Sequence, residues 1–320
     1  MHGCCQCKMP QTRKMNLLDC ARQQTLLPEH VRINSAAIAA LAKELDAVAP
    51  PAWDEEQMHV NAKAVGVDAA LLFCFVVDAI NFCFWVRSDG ADAVEYFDLS
   101  TAVRRHLPRI TAATLQHITE DELNAWLEPP SKRWPLVHER VRALRELGHA
   151  LELYGPPRLW VEQARNSAVT LCCLIVARLP MFRDETVLHG RRVVFLKRAQ
   201  ILVADIWGCL GRPSAGLGSF VDIASLTCFA DYRVPQLLRD RGVLEYSVAL
   251  AAKVDARVEL AAGSEEEVAI RAATIVAVER VRAAMRVPLV AVEVDWLLWQ
   301  RGEKLRGDLA PHHCTRTWFY

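Results

Sequence analysis

The chain has 320 residues, 52% of them hydrophobic, which is enough for one large domain or two ordinary ones with a well-packed core. Lysine plus arginine and aspartate plus glutamate both number 38, so the formal charge is zero. Proteins that bind nucleic acids through the phosphates usually carry a basic excess, so this balance favours a small ligand over a stable nucleic-acid partner.

The number and positions of the cysteines indicate the redox compartment and whether a metal site is expected. Eleven cysteines occur, and several lie within apolar runs, where free cysteine behaves as a small hydrophobe. This usage predicts a reducing, cytoplasmic location. Cys4, Cys5 and Cys7 lack the second, separated pair of thiolates that a zinc site needs, so no metal is predicted. Residues 1–28 are predicted to be a flexible Cys-rich leader, followed by a single domain over residues 29–320.

Apolar residues recur at helical spacing along most of the chain. Helices are predicted within His30–Val48 with Asn34 or Ser35 as N-cap, over Leu136–Tyr154, over Leu159–Leu179 and over Val268–Met285. No alternating pattern of useful length recurs. The predicted fold class is therefore mainly α, an irregular helical bundle with few or no strands. No stretch is apolar for about eighteen residues, so no membrane span is expected.

Asp68–Trp85 is apolar apart from Asp78 and Asn81. In a helix these two residues lie three apart and share one face. A buried carboxylate without a partner is unfavourable by several kcal/mol, so Asp78 must be paired or must bind something. Two interpretations stay open: an internal pair that holds core helices in register, and a ligand contact.

Arg191–Gly208 reads RRVVFLKRAQILVADIWG. The letters VVFL are compatible with a short strand, but Phe195, Arg198, Leu202 and Asp205 fit one helical face, so a helix is predicted with Lys197 and Arg198 near its start. The glycines that follow match neither a phosphate loop nor a dinucleotide fingerprint, and no cofactor is predicted.

The segment Ile223–Gln236, IASLTCFADYRVPQ, sets Asp231 behind an apolar run and two residues ahead of Arg233. Pro235 predicts a turn that feeds a helix. A carboxylate in apolar surroundings has a raised pKa or a bound partner, and both are common at active sites. The alternative is a structural Asp231–Arg233 pair that caps a helix.

Several reaction classes lack their signatures in this sequence. No G-x-S-x-G elbow, no H-E-x-x-H motif and no activated thiol environment occurs. What remains is a set of isolated acids in aromatic, helical surroundings: Asp78, Asp205, Asp231 and Asp295. Carboxylates beside aromatic rings suit cleavage of a C–N glycosidic bond, where an acid stabilises or attacks an oxocarbenium-like centre and a ring stacks on the base.

Five phrases carry a family resemblance: VVDAINFCFW, NSA, FLKRAQILVADIW, FADYRVPQ and the closing H-x-x-R-T-x-x-Y. They resemble the queuosine salvage family, the queuosine 5′-phosphate N-glycosylase/hydrolases, over about His30 to Tyr320. The resemblance implies a fold similar to helical DNA glycosylases. It also implies that the small-molecule substrate queuosine 5′-monophosphate is hydrolysed to queuine and ribose 5-phosphate, in queuine salvage for tRNA modification.

The resemblance also implies site residues. Asp231 is predicted to be the catalytic carboxylate near the anomeric carbon or a reader of the base, with Asp295 as the second acid. Phe229 and His59 match substrate-contacting positions. Further substrate contacts are predicted at Tyr232, Asp78 and Asn81, and 5′-phosphate contacts at Lys197, Arg198, Arg233, His313 and Arg316. Two alternatives remain open: a glycosylase of another nucleotide, and a non-catalytic protein that binds queuine or a modified nucleotide.

Overall fold

The computed structural model describes residues 26–49, 59–86, 94–127 and 134–320. Residues 1–25 of the predicted leader lie outside these ranges. The described residues form fourteen α-helices and four short strands, so the prediction of a mainly α fold is confirmed. The helices are α1 (Ser35–Leu45), α2 (Ala62–Val65), α3 (Val67–Ala79), α4 (Tyr96–His106), α5 (Ala112–His117), α6 (Glu120–Trp126), α7 (Val137–Tyr154), α8 (Pro157–Gln163), α9 (Ala168–Arg178), α10 (Lys197–Cys209), α11 (Arg233–Asp240), α12 (Val248–Asp255), α13 (Glu265–Ala284) and α14 (Ala291–Leu305).

The strands form two antiparallel pairs. β1 (Val31–Ile33) pairs with β4 (Leu244–Tyr246), and β2 (Glu185–Leu188) pairs with β3 (Arg191–Val194). The helix predicted within Arg191–Gly208, with Lys197 and Arg198 near its start, is confirmed, and the residues before it form the short strand with which the letters VVFL are compatible. The chain turns at Leu196, whose φ is 51°, and α10 begins at the next residue. A hairpin to β2 gives the backbone its hydrogen bonds here, so strand pairing outweighs the helical spacing.

Local sequence accounts for most helix ends. Asn34 caps α1 by accepting hydrogen bonds from the backbone N–H groups of Ala36 and Ala37, at 3.0 and 3.2 Å, as predicted. The segment Leu159–Leu179, in which Asn166 and Ser167 are the predicted polar breaks, forms two helices, because Arg165 and Asn166 have positive φ and Ser167 caps α9. Non-glycine residues rarely adopt that conformation inside a helix.

Helix α3 ends at Ala79, before the end of the apolar run Asp68–Trp85. Buried arginines donate hydrogen bonds to backbone carbonyls at the end of this helix and just after it. Arg198 donates to the carbonyls of Asp78 and Ala79, at 3.0 and 2.7 Å, and Arg140 donates to the carbonyl of Cys83 at 3.1 Å. Guanidinium donors thus satisfy the acceptors that a helix C-terminus leaves free.

The buried side chains form two hydrophobic clusters. The larger contains residues of α3, α4, α7, α9 and α10, and the smaller contains residues of α1, α11, α13 and α14. The segment between α10 and α11 runs along the boundary: Phe229 belongs to the larger cluster, and Cys228 and Ala230 belong to the smaller one. The Asp231 backbone is therefore fixed by packing on both sides. Within the described ranges, no helix has the length and apolarity needed to cross a membrane.

Candidate active site

A pocket of ≈ 370 Å³ opens beside the segment that precedes α11. Helices α10 and α14 supply two of its walls. The remaining walls come from residues 81–86, residues 94–96 and the stretch around residues 307–314. Both hydrophobic clusters thus contribute to the pocket, which holds polar groups against aromatic walls, as small-molecule sites do.

Helical spacing explains which side chains of α10 and α14 reach the pocket. On α10 they are Lys197, Ile201 and Asp205, each four residues after the last. On α14 the lining residues are Asp295, Trp296, Trp299 and Glu303, and Arg306 follows directly after the helix. Residues four apart lie on one helical face, so each helix presents a continuous stripe to the ligand space.

Asp231 caps α11 and faces the pocket. Its Oδ1 accepts hydrogen bonds from the backbone N–H groups of Arg233 (2.8 Å) and Val234 (3.1 Å), which have no intrahelical partner. The positive end of the helix dipole favours a negative charge at this position. No described residue donates a hydrogen bond to Oδ2. Capping by Asp231 agrees with the structural alternative, but the Asp231–Arg233 ion pair does not form.

Asp295 is buried beside Asp231. Its Oδ1 accepts a hydrogen bond from the backbone N–H of Phe229 at 2.8 Å. Burial raises the pKa of the Asp295 carboxyl well above its usual range, and the charge of Asp231 raises it further. The pair thus combines a helix-capping carboxylate with an acid whose neutral form is favoured. Environments that separate two acids in this way are typical of acid–base pairs.

Lys197 is the cation nearest to these acids. It begins α10, and its side chain is buried at the deep end of the pocket. Burial lowers the pKa of the Lys197 ammonium, while the charges of Asp231 and Asp295 oppose that effect. The lysine therefore lies where it can balance the carboxyl groups.

Aromatic rings build the walls. Tyr96 lies between His59 and Trp299, with ring centroids 5.5 and 6.0 Å away, and its hydroxyl is 3.3 Å from Nδ1 of His59. Tyr232 stacks on His312 with centroids 4.4 Å apart. Nδ1 of His312 donates to the carbonyl of His313 at 2.7 Å, and burial lowers the pKa of His312 to about 4, so its ring is neutral.

The arginines that line the pocket differ in how they are paired. Nε of Arg233 donates to Oε1 of Glu303 at 2.6 Å, and Arg306 pairs with Glu95. Arg257 is exposed at the rim, and no described carboxylate forms an ion pair with it. An unpaired guanidinium at the mouth of a pocket is the group best suited to bind an anion.

The pocket brings together eight of the predicted residues, but four others lie elsewhere. The eight are Asp231, Asp295, Phe229, Tyr232, Arg233, Lys197, His59 and Asn81. Asp78 is buried behind the wall, where its Oδ1 accepts a hydrogen bond from Asn81 at 3.1 Å. Arg198 faces the core carbonyls around the end of α3, which does not fit the predicted phosphate contact.

His313 and Arg316 also lie outside the pocket lining. His313 is buried, with Nε2 3.3 Å from the hydroxyl of Tyr320, and burial lowers its pKa to about 3. A neutral, enclosed imidazole does not attract a phosphate. Arg316 is exposed and does not line the pocket. The geometry therefore does not support a phosphate contact at either residue.

The sequence interpretation missed several pocket residues, among them Tyr96, Trp296, Trp299, His312 and Arg257. Trp299 and Glu303 follow Asp295 at four-residue intervals, so projecting α14 as a helix from that acid finds both. The positions of Tyr96 and Arg257 depend on tertiary contacts, and no local pattern indicates them. Among the described residues no group of three or more histidine, cysteine, aspartate or glutamate side chains has the geometry to hold a metal ion.

Comparison with known proteins identifies similar chains. The profile of a family described as queuosine salvage protein matches residues 58–320. A Sphaerobacter thermophilus protein named queuosine 5′-phosphate N-glycosylase/hydrolase is 38% identical over 324 residues, covering 96% of this chain and 98% of its own. Proteins with the same name from Dictyostelium discoideum and Mus musculus are each 36% identical, over 96% and 87% of this chain and 100% and 91% of their own.

Proposed function

The chain belongs to the queuosine salvage protein family, and from this premise we propose that it hydrolyses the N-glycosidic bond of queuosine 5′-monophosphate to release queuine. The enzyme is a hydrolase that acts on a small molecule. The observation that carries the proposal is the pairing of Asp231 with Asp295 in a pocket lined by aromatic rings. Glycosidic cleavage needs two carboxyl groups in different protonation states.

The two acids take different roles in the proposed reaction. The free Oδ2 of Asp231 faces the anomeric carbon and stabilises the positive charge that develops there as the C–N bond breaks. Asp295, in its neutral form, donates to the departing base. Phe229 offers a ring on which the base stacks, and its backbone N–H holds Asp295 in position. Water then adds to the anomeric carbon and gives its proton back to Asp295, which leaves ribose 5-phosphate and restores both acids.

Base release is expected to decline as the pH rises through the raised pKa of Asp295. The Asp295 carboxyl keeps its proton below that pKa and loses it as the pH passes through it. Asp295→Asn keeps the acceptor for Phe229 but has no proton to lose. The rate of base release by the variant is expected to be lower by about 10²-fold. It should not show the decline at higher pH that the wild type shows. The test is the pH profile of kcat/KM for both proteins; an unchanged decline in the variant would assign it to another group, such as Lys197.

Arg257 is the favoured contact for the 5′-phosphate. It follows α12 with a φ of 53°, in a turn closed by hydrogen bonds from its own N–H to the carbonyl of Val254 and from Val258 to Lys253, both 2.9 Å. Glycine is the usual residue at this position of a helix end. An arginine held there, without an ion-pair partner among the described residues, supports a ligand-binding role.

Arg257→Gly is expected to raise the stability of the protein while weakening substrate binding. Glycine relieves the backbone strain, so the free energy of unfolding should rise by up to about 1 kcal/mol. The KM for the 5′-monophosphate should rise roughly ten- to a hundredfold, because a charged hydrogen bond is lost, while the KM for the nucleoside stays unchanged. Arg165→Gly is the matched control, since Arg165 has a φ of 50° at a helix end outside the pocket. An unchanged KM in Arg257→Gly would remove this residue from the phosphate site.

The proposed function is tested by incubating the protein with queuosine 5′-monophosphate and following free queuine by chromatography. Release of queuine, with ribose 5-phosphate as the second product, is the expected result. Binding of the nucleotide without any release would identify a carrier or sensor instead. Release from other nucleotide monophosphates at the same rate would identify a broader glycosylase.

We also propose that residues 29–320 act as one catalytic domain, because both hydrophobic clusters contribute walls to the pocket. The formal charge of zero supports a mononucleotide rather than a nucleic-acid polymer as the substrate. The seven cysteines of the described ranges are free, which supports a reducing compartment such as the cytoplasm.

A further inference from the structure

Asp205 is a buried acid that has no role in the proposed glycosidic cleavage. It lies on the α10 stripe that lines the pocket, and its side chain is 3% exposed. Neither of its carboxyl oxygens takes part in a hydrogen bond with the described residues. A buried carboxyl without a partner is unfavourable, and native proteins retain one mainly where a ligand completes it.

The surroundings of Asp205 are short of positive charge. Asp78 lies behind it, fully buried, with its Oδ2 unpartnered and its pKa raised by burial to about 7. Burial, followed by the charge of Asp78, raises the pKa of Asp205 well above its usual range. Two cations act on these groups: Lys197, whose charge is shared among Asp205, Asp78, Asp231 and Asp295, and Arg198, which acts on Asp78. The deep end therefore holds more carboxyl groups than cations.

We propose that Asp205 binds a cationic amine carried by the base, and so selects nucleotides whose base has an aminomethyl side chain. This inference rests on the proposed function. Queuine carries such a secondary amine between its 7-deazaguanine ring and a cyclopentenediol, and the amine is protonated near neutral pH. An ammonium group supplies both the hydrogen bonds and the counter-charge that Asp205 lacks.

The aromatic wall of the pocket leaves the recognition of the amine to Asp205. Trp296 lines the pocket, but its ring stacks on Trp207, with centroids 6.2 Å apart, and the guanidinium of Arg212 already lies over it, 5.2 Å from the centroid. The carboxyl of Asp205 is therefore the group that selects an ammonium over a neutral side chain.

Binding of the free bases tests the inference independently of catalysis. Titration calorimetry compares queuine with 7-deazaguanine, which has the same ring without the amine. Wild type is expected to bind queuine more tightly, and Asp205→Asn should weaken queuine binding roughly ten- to a hundredfold while 7-deazaguanine binding stays unchanged. The control is Asp308→Asn, an exposed acid just after α14, which should change neither dissociation constant.

The proton balance gives a second readout that a structural role would not produce. The pKa of Asp205 is raised by burial, and an ammonium bound beside it lowers that pKa, so queuine binding shifts Asp205 towards its ionised form and releases protons to the buffer, whereas 7-deazaguanine binding does not. Calorimetry in two buffers of different ionisation enthalpy measures that proton. The titratable groups around Asp205 are Asp78, Cys209, Lys197, Asp295, Cys74 and Tyr96. Proton release that persists in Asp205→Asn would come from one of them.

Two outcomes overturn the inference: equal weakening of both bases in Asp205→Asn, and no weakening of queuine. A failure of the proposed function has a different signature, because a protein that releases no base still reports which base it binds. Turnover of the nucleotide and selectivity between the free bases are therefore separate results.

Discussion

Asp231→Asn is expected to reduce the rate of queuine release by a factor on the order of 10³, since it removes the charge that stabilises the developing cation at the anomeric carbon. The variant should fold normally. Asparagine caps helices as well as aspartate does, so its Oδ1 can still accept the backbone N–H groups of Arg233 and Val234. The measurement is kcat under saturating nucleotide, together with the thermal unfolding temperature.

A second capping acid provides the matched control for this variant. Asp222 accepts hydrogen bonds from the backbone N–H of Ala168 (2.5 Å) and the hydroxyl of Ser167 (2.7 Å) at the start of α9, and it does not line the pocket. Asp222→Asn should leave kcat unchanged. Undiminished release in Asp231→Asn would contradict the assignment of Asp231 as the catalytic carboxylate, and an equal loss in both variants would point to stability instead.

Sequence patterns predicted the features that depend on neighbouring residues. Apolar spacing indicated α7, and a polar residue before an apolar run indicated the cap of α1. The position of Asp231 behind an apolar run and before Pro235 indicated both its burial and the helix that it caps. These predictions hold because periodicity and capping are local effects.

The remaining features depend on contacts between distant parts of the chain. Strand β3 forms because β2 pairs with it, which the helical spacing of its own residues does not reveal. Arg198 directly follows Lys197, yet a step of about 100° around α10 turns it from the pocket into the core. His312 reaches the pocket while its neighbour His313 is enclosed. Only the packing of these segments decides which of two adjacent polar residues meets the ligand.

Asp184→Ala is expected to lower the free energy of unfolding by up to about 3–5 kcal/mol, because it removes the two-bond partner of a buried guanidinium and leaves only the longer contact to Glu267, at 3.3 Å, among the described carboxylates. Arg271 donates to both carboxyl oxygens of Asp184, at 3.0 and 2.5 Å, and both side chains are 3% exposed. Oδ2 of Asp184 also accepts the backbone N–H of Lys197 at 3.1 Å. Urea unfolding followed by circular dichroism measures the change.

The surface offers a matched pair for comparison. Arg239 and Asp255 have the same two-bond geometry, at 2.7 and 3.0 Å, but the Asp255 side chain is 50% exposed. Asp255→Ala should therefore lower the free energy of unfolding by no more than about 1 kcal/mol, since solvent screens an exposed pair. Similar losses in the two variants would contradict the importance of burial at Asp184.

Removing the second charge separates electrostatics from lost packing. Asp184→Ala combined with Arg271→Met should recover part of the stability, because the buried guanidinium is removed together with its main partner. Glu267 loses its ion pair with Arg271 but keeps the hydrogen bonds that it accepts from the backbone N–H of Gly263 and the hydroxyl of Tyr320, both 3.0 Å. Activity should not recover with it. Nε of Arg271 donates to the carbonyl of Ala230 at 3.0 Å, which holds the residue just before Asp231. A double variant that regains stability but still releases queuine slowly would assign Arg271 a positioning role. Recovery of both properties would limit the pair to stability.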